Sequence, residues 1–203
     1  MKIRLIIVAF ISMATNFAIA GDYTLTIDGR PYDVDLGKQT VVTLSDGQGI
    51  RVTLDKKAIA SFNTSGFSFS YPSSLSPSRT DLGDGVHQTM IASPIGTTIM
   101  IQEYAGIDPT DLVDMILKEL TKEEVHYGYE IAKSPARKTL SDGSTLTGKL
   151  AVSKYNDTEY TRLVLSHATR DAGIMVVTQI EKAAPHEDRE LIDMFWKTLK
   201  IPK

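Results

Sequence analysis

Alternation of apolar and polar residues in short segments, each followed by a turn-forming pair, is the feature of this sequence that most restricts its fold. Between residues 23 and 55 apolar residues recur at every second position, and Asp28-Gly29 and Asp46-Gly47 interrupt the pattern. An Asp-Gly pair between two such runs is typical of a β-hairpin, because the tight turn needs positive φ angles. The pattern predicts a small β-meander appendage over residues 21–57, with strands at 23–27, 32–36, 40–44 and 50–54.

The rest of the chain alternates similarly and adds two segments with helical spacing. Residues 66–72 carry aromatic residues at every second position, which predicts a strand that opens a domain over residues 66–201, after a polar connector at 60–65. Asp108 before Pro109 is typical of a helix start, and a last helix is predicted at 187–199. Further strands are predicted at 86–92, 98–104, 129–133, 144–155, 159–168 and 173–181, with a turn at 170–173. This order predicts an α+β fold, an antiparallel sheet covered by helices on both faces.

The first twenty residues have the pattern of a cleavable signal peptide. Lys2 and Arg4 precede a short apolar run, and Ala18 and Ala20 are small residues at the positions that signal peptidase reads. The apolar run is too short to span a bilayer. We therefore predict cleavage near Ala20, a periplasmic or secreted location, and no stable membrane anchor.

Composition narrows the classes of function. The chain has no cysteine, which excludes disulfide bonds and thiolate chemistry, and its formal net charge is -3. Removal of Lys2 and Arg4 with the leader leaves a more acidic chain. A mildly acidic protein is a poor match for nucleic acid, so no nucleic-acid partner is expected.

Three segments resemble the PsbP-like superfamily, which includes PsbP of photosystem II, the Ran-binding Mog protein and DcrB-type periplasmic proteins. They are residues 66–72 (GFSFSYP), the capped helix near Pro109, and the closing residues 195–201 (FWKTLKI). The resemblance covers about residues 66–201 and implies an antiparallel sheet between helices that acts in binding or assembly without chemistry of its own. Many members carry Trp shortly after the Tyr-Pro step, whereas this chain has Leu75. No ligand-binding residue is carried over.

No residue pattern indicates a catalytic, metal or cofactor site. None of the four histidines stands in a metal-spaced pair, and neither a Gly-x-Ser-x-Gly elbow nor a phosphate-binding glycine loop occurs. The histidines are His87, His126, His167 and His186. Glu187 and Asp188 are interpreted as acidic residues that cap the last helix, rather than as a catalytic carboxylate pair. We therefore expect a protein that is not an enzyme and that uses no cofactor.

Four tyrosines flank predicted turns and the end of the first helix, where aromatic residues often mark binding surfaces; packing in the core is the alternative. These are Tyr127, Tyr129, Tyr155 and Tyr160. The first hypothesis is an exported binding or assembly module that acts on another envelope protein. The alternative is a carrier of a small apolar ligand, with a pocket between sheet and helix.

Overall fold

The computed structural model describes residues 23–169 and 172–202. The predicted signal peptide, and the predicted turn residues Arg170 and Asp171, lie outside the described residues. The described residues divide into two compact units, with the boundary between Lys56 and Lys57. In the described part, no helix combines the length and apolar character needed to cross a bilayer.

The first unit consists of two β-hairpins. Strand β1 (Tyr23–Ile27) pairs with β2 (Arg30–Val34), and β3 (Gln39–Thr43) pairs with β4 (Gly49–Thr53), both antiparallel. Asp28 and Gly29 have φ angles of 47° and 78°, as the predicted turn requires. The strands do not form one continuous meander, because β2 and β3 do not pair; a single parallel bridge from Leu36 to Leu54 joins the hairpins instead.

The second unit is built on a seven-stranded antiparallel sheet in the order β10-β11-β12-β13-β9-β8-β7. A further hairpin, β5 with β6, forms a separate pair of strands. The elements are β5 (Ile59–Asn63), β6 (Ser68–Pro72), β7 (Ser78–Gly83), β8 (Val86–Ala92), β9 (Thr98–Ala105), a 3₁₀ turn (Pro109–Leu112), α1 (Val113–His126), β10 (Glu130–Thr139), β11 (Thr145–Tyr155), β12 (Thr158–Ala168), β13 (Ala172–Glu181) and α2 (His186–Thr198).

Helices cover both faces of this sheet. Successive side chains of a strand point to opposite faces. Along β13, Ile174 and Val176 belong to the core beneath α2, whereas Met175 and Val177 belong to the core beneath α1. The β5–β6 hairpin lies on the α2 face, where the rings of Phe69 and Phe195 are 5.2 Å apart. The predicted α+β sandwich is thus confirmed.

Both helices begin near their predicted positions, and Glu187 and Asp188 lie in the first turn of α2, but neither of them makes a side-chain capping bond there. Asp108 accepts a hydrogen bond from Thr110 N at 2.8 Å, which caps the 3₁₀ turn that leads into α1. Asp188, expected to cap α2, makes no capping bond. It is buried and accepts a hydrogen bond from Ser93 Oγ at 2.6 Å, so this carboxylate ties α2 to the β8–β9 turn.

Two strands were not predicted. The segment interpreted as a polar connector is strand β5, whose Phe62 packs into the core while Ser61 and Asn63 face outward. Strand β7 is exposed along its whole length at the edge of the sheet. An edge strand of this kind has no buried face, so its sequence lacks the apolar alternation by which strands are recognised.

Candidate functional site

One row of directly paired residues crosses five strands of the sheet. Asp81 pairs with His87, His87 with Glu103, Glu103 with Ile174, and Ile174 with His167. Paired residues of neighbouring antiparallel strands share a face. Since Ile174 lies in the core beneath α2, the whole row points to the α2 side.

A cleft of about 470 Å³ lies at this end of the sheet. The loop 65–66 and residues 201–202 contribute to its walls, together with Arg79 and the two histidines of the row. Ile174 lines the cleft but is only 5% exposed, and the exposed apolar residues of the lining are Ala105, Ala172 and Pro202. We call this site the cleft. The sequence hypothesis placed a pocket between sheet and helix, whereas the cleft lies beyond the end of α2.

Glu103 is the most buried charged group of the cleft, with a side chain 14% exposed. Its Oε1 accepts a hydrogen bond from Thr64 Oγ1 at 2.9 Å, and its Oε2 forms an ion pair with Arg79 Nη1. A Cβ atom on Gly66 would lie 2.5 Å from Oε1, so a larger residue there would displace the carboxylate end of Glu103. Oε1 is therefore hydrogen-bonded, whereas Oε2 is buried against Arg79 and accepts no hydrogen bond from the described residues.

The structure brings two of the four histidines into the cleft. His167 Nδ1 is 2.9 Å from the carbonyl oxygen of Thr145. Because a carbonyl oxygen can only accept, Nδ1 carries the proton, and among the described residues Nε2 has no hydrogen-bond partner. His87 lies at the rim, with Nδ1 3.8 Å from Asp81 Oδ1.

The other two histidines lie elsewhere. His126 is at the end of α1 and packs its ring against Tyr127. His186 begins α2, 3.5 Å from Glu190. In residues 23–169 and 172–202, no three His, Cys, Asp or Glu side chains are grouped so that they could hold a metal ion.

The wall formed by residues 201–202 is anchored from the β10–β11 turn. Asp142 Oδ2 accepts from Ile201 N, and Oδ1 accepts from Ser144 N, both at 2.8 Å. Burial on its own would raise the pKa of Asp142, but these two hydrogen bonds favour the carboxylate and bring the pKa below its ordinary value. The adjacent Lys200 forms a two-way backbone bridge with Ser68. Neighbouring segments thus hold this wall at two points.

Three of the four tyrosines proposed as a binding surface come together on the other face of the sheet, at the end of α1. The rings of Tyr129 and Tyr155 stack at 5.2 Å, and Tyr160 lies 6.5 Å from Tyr129. Tyr127 is 68% exposed and packs on His126 instead. Burial and then the charge of Glu181 raise the pKa of Tyr160. We call Tyr127, Tyr129, Tyr155 and Tyr160 the tyrosine surface.

A buried arginine lies beside this surface. Arg162 donates two hydrogen bonds of 2.6 Å to the two carboxylate oxygens of Glu124, and others to Gln179 and Ser153. Its guanidinium is 5.5 Å from the ring centroid of Tyr160. The ion pair joins the last turn of α1 to the sheet.

No protein-family model matches the chain, and no curated protein matches its sequence. The solution structure of cyanobacterial PsbP (CyanoP) from Synechocystis sp. matches with a TM-score of 0.48 and 11% identity, over 71% of this chain and 93% of that chain. A crystal structure of a protein from Bacteroides thetaiotaomicron matches with a TM-score of 0.37 and 17% identity, over 70% of this chain and 48% of that one, so this chain spans about half of that protein.

Sequence reasoning missed Arg79, Glu103 and Thr64. Arg79 lies on β7 and Thr64 follows β5, the two strands that were not predicted. Glu103 did carry a signal, because it continues the inward row of Ile99 and Ile101 on β9. A carboxylate in an apolar row is expected to have a partner.

We predict that Arg162→Met destabilises the protein by about 3–5 kcal/mol, because Glu124 would be left largely buried without its counter-ion. Urea unfolding measures the change. Lys149→Met is the matched control, since it removes the exposed Lys149–Asp114 pair, and a change below about 1 kcal/mol is expected. Equal losses in the two variants would show that the buried pair has no special role.

We also predict that Asp142→Asn makes the free energy of unfolding depend less on pH in the acidic range. A lowered folded-state pKa means that the unfolded chain binds more protons, so Asp142 stabilises the fold fully above its unfolded pKa of about 3.9. This stabilisation is lost as the pH falls through the folded-state pKa. Urea midpoints at about pH 6 and pH 3 should therefore differ more in the wild type than in the variant; an unchanged difference would contradict the assignment.

Proposed function

We propose that this protein is a binding module without chemistry of its own, and that the cleft is its recognition site. The observation that carries the proposal is a cleft of about 470 Å³ in which polar groups converge beside an apolar wall. Small-molecule sites commonly have volumes of about 300–1,000 Å³ and this mixture of surfaces. The walls are held in place by the Arg79–Glu103 pair and by the bond from Ile201 to Asp142, so the site is preformed.

The contacts of the charged groups favour binding over proton transfer. A general base of the Ser-His-Asp type needs a carboxylate behind the imidazole and a hydroxyl in front of it. In the described part of the chain, His167 is oriented by a backbone carbonyl, and Glu103 is occupied by Arg79 and Thr64. The remaining pair, Asp81 and His87, is 69% and 41% exposed, so water screens its interaction.

The proposed setting is outside the cytosol, where the leader pattern would deliver the protein. Membership of the PsbP-like superfamily belongs to the same proposal. It is supported by the three sequence segments described above and agrees with the arrangement of an antiparallel sheet between helices.

We predict that the protein purified gently from its own host retains a small molecule that native mass spectrometry detects. Ala172→Trp should abolish retention, because Ala172 lines the cleft at an exposed position where an indole would fill the space. Met115→Trp is the control: Met115 is 53% exposed on α1, so retention should persist. A clean apo mass for the wild type, or equal retention by both variants, would contradict the proposal.

A second candidate function is docking of an envelope protein on the tyrosine surface. The observation in its favour is that Val125, Tyr127 and Tyr155 are 58%, 68% and 46% exposed, and that Tyr155 stacks on the Tyr129 ring. Exposed aromatic residues are enriched at the centres of interfaces.

We predict that the double variant Tyr127→Ser/Tyr155→Ser loses a partner that the wild type captures from envelope extracts after crosslinking. Tyr127 is 68% exposed, and Tyr155 is 46% exposed and gives up only its stacking on Tyr129, so the fold should be retained. Ala172→Trp should capture the same partner, which separates this surface from the cleft. Identical capture by the wild type and the tyrosine variant would exclude docking on the tyrosine surface.

A further inference from the structure

We infer that the ligand of the cleft is a small amphipathic anion, with an acidic oxygen group on Arg79 and an apolar body against the exposed apolar lining residues Ala105, Ala172 and Pro202. This inference rests on the proposed function and adds the chemical class of the ligand. It follows from which hydrogen-bonding groups in the cleft are already used and which are free.

The buried carboxylate of the cleft is out of reach of a ligand. Glu103 Oε1 accepts from Thr64, and Gly66 passes close to this oxygen. Oε2 lies against Arg79 and is fully buried, although it accepts no hydrogen bond from the described residues. A cationic ligand therefore cannot reach Oε2. Asp81, the other acid nearby, is 69% exposed at the rim and faces His87.

The donor groups, by contrast, are in excess. A guanidinium has five N–H donors in a planar fork. In the described residues the contact made by Arg79 is the one from Nη1 to Glu103, and its side chain remains 34% exposed. Arg79 can thus hold Glu103 with one nitrogen and offer its other N–H groups to a ligand. A carboxylate or phosphate matches that fork in shape and charge.

An apolar surface lies directly beside this head-group position. Because the guanidinium contacts Glu103, it lies over β9, and Ile174 is the paired residue on the next strand. Neighbouring strands are about 5 Å apart, so a ligand of a few carbon atoms reaches both. Ile174 and Ile201 are only 5% and 7% exposed, so most of the apolar contact comes from Ala105, Ala172 and Pro202, which line the cleft and are exposed. The Nε2 atom of His167, one residue further along the row, can bond a polar group at the far end of the ligand.

The test is isothermal titration of the full chain at fixed pH and salt with four probes that share one tail: octanoate, octyl phosphate, octanol and octylammonium. We expect the anions to bind at least about tenfold more tightly than octylammonium, because a charge-assisted hydrogen bond is worth roughly that factor. The two anions distinguish a carboxylate from a phosphate ligand. Ala172→Trp should abolish binding of every probe that uses the cleft.

The variant that isolates the head group is Arg79→Met/Glu103→Gln. It removes the ion pair as a unit, so no buried carboxylate is stranded, and it should reduce octanoate affinity to that of octanol while octanol binding is unchanged. Arg79→Lys keeps the charge but loses the planar fork, and an intermediate affinity is expected.

Each outcome decides one of the two proposals. Equal binding of octanoate and octylammonium, blocked by Ala172→Trp, would overturn the anionic class while the binding function stands. Octanoate affinity unaffected by the double variant would also overturn it. If none of the probes binds, the inference fails, and the retained mass in native spectra then decides the proposed function separately.

Discussion

The pairing of β13 with β9 is the interaction on which the rest of the second unit depends. It joins strands that precede α1 to strands that follow it, from Ala172 opposite Ala105 to Gln179 opposite Thr98. Without it, β7–β9 and β10–β13 would be two separate sheets, each with an additional open edge. The pairing also creates the cleft, because Glu103 and Ile174 become neighbours only through this ladder. Closing such a long loop costs entropy, and burial of side chains on both sheet faces compensates for that cost.

Two buried or half-buried Arg–Glu ion pairs, Arg162–Glu124 and Arg79–Glu103, differ in how many arginine donors the fold uses. Arg162 is 6% exposed and bonds to Glu124, Gln179 and Ser153, so its donors are used in attaching α1 to the sheet. Arg79 is 34% exposed and contacts Glu103 through one nitrogen. The first pair is a structural connection, whereas in the second the remaining N–H groups of Arg79 have no hydrogen-bond partner among the described residues. The difference lies in how many donors the neighbouring strands satisfy.

The elements recognised from the sequence are those whose signal is local and strong. The hairpin at Asp28-Gly29, the cap at Asp108 and the long strands with a buried face are all present near their predicted positions. Strand β7 was missed because an exposed edge strand has no apolar face to reveal it. Asp188 lies in the first turn of α2 as interpreted, but its hydrogen-bond partner, Ser93, is 95 positions away and could not be predicted locally.

The sequence by itself determined the fold class, the hairpins and most element boundaries, because these follow from residues within a few positions of each other and from the two periods of strand and helix. Only the tertiary structure decided which polar groups meet. Thr64 reaches Glu103 across 39 positions, and Asp142 holds Ile201 across 59. These contacts depend on the order and register of strands far apart in the chain, and a single sequence carries no local signal for either.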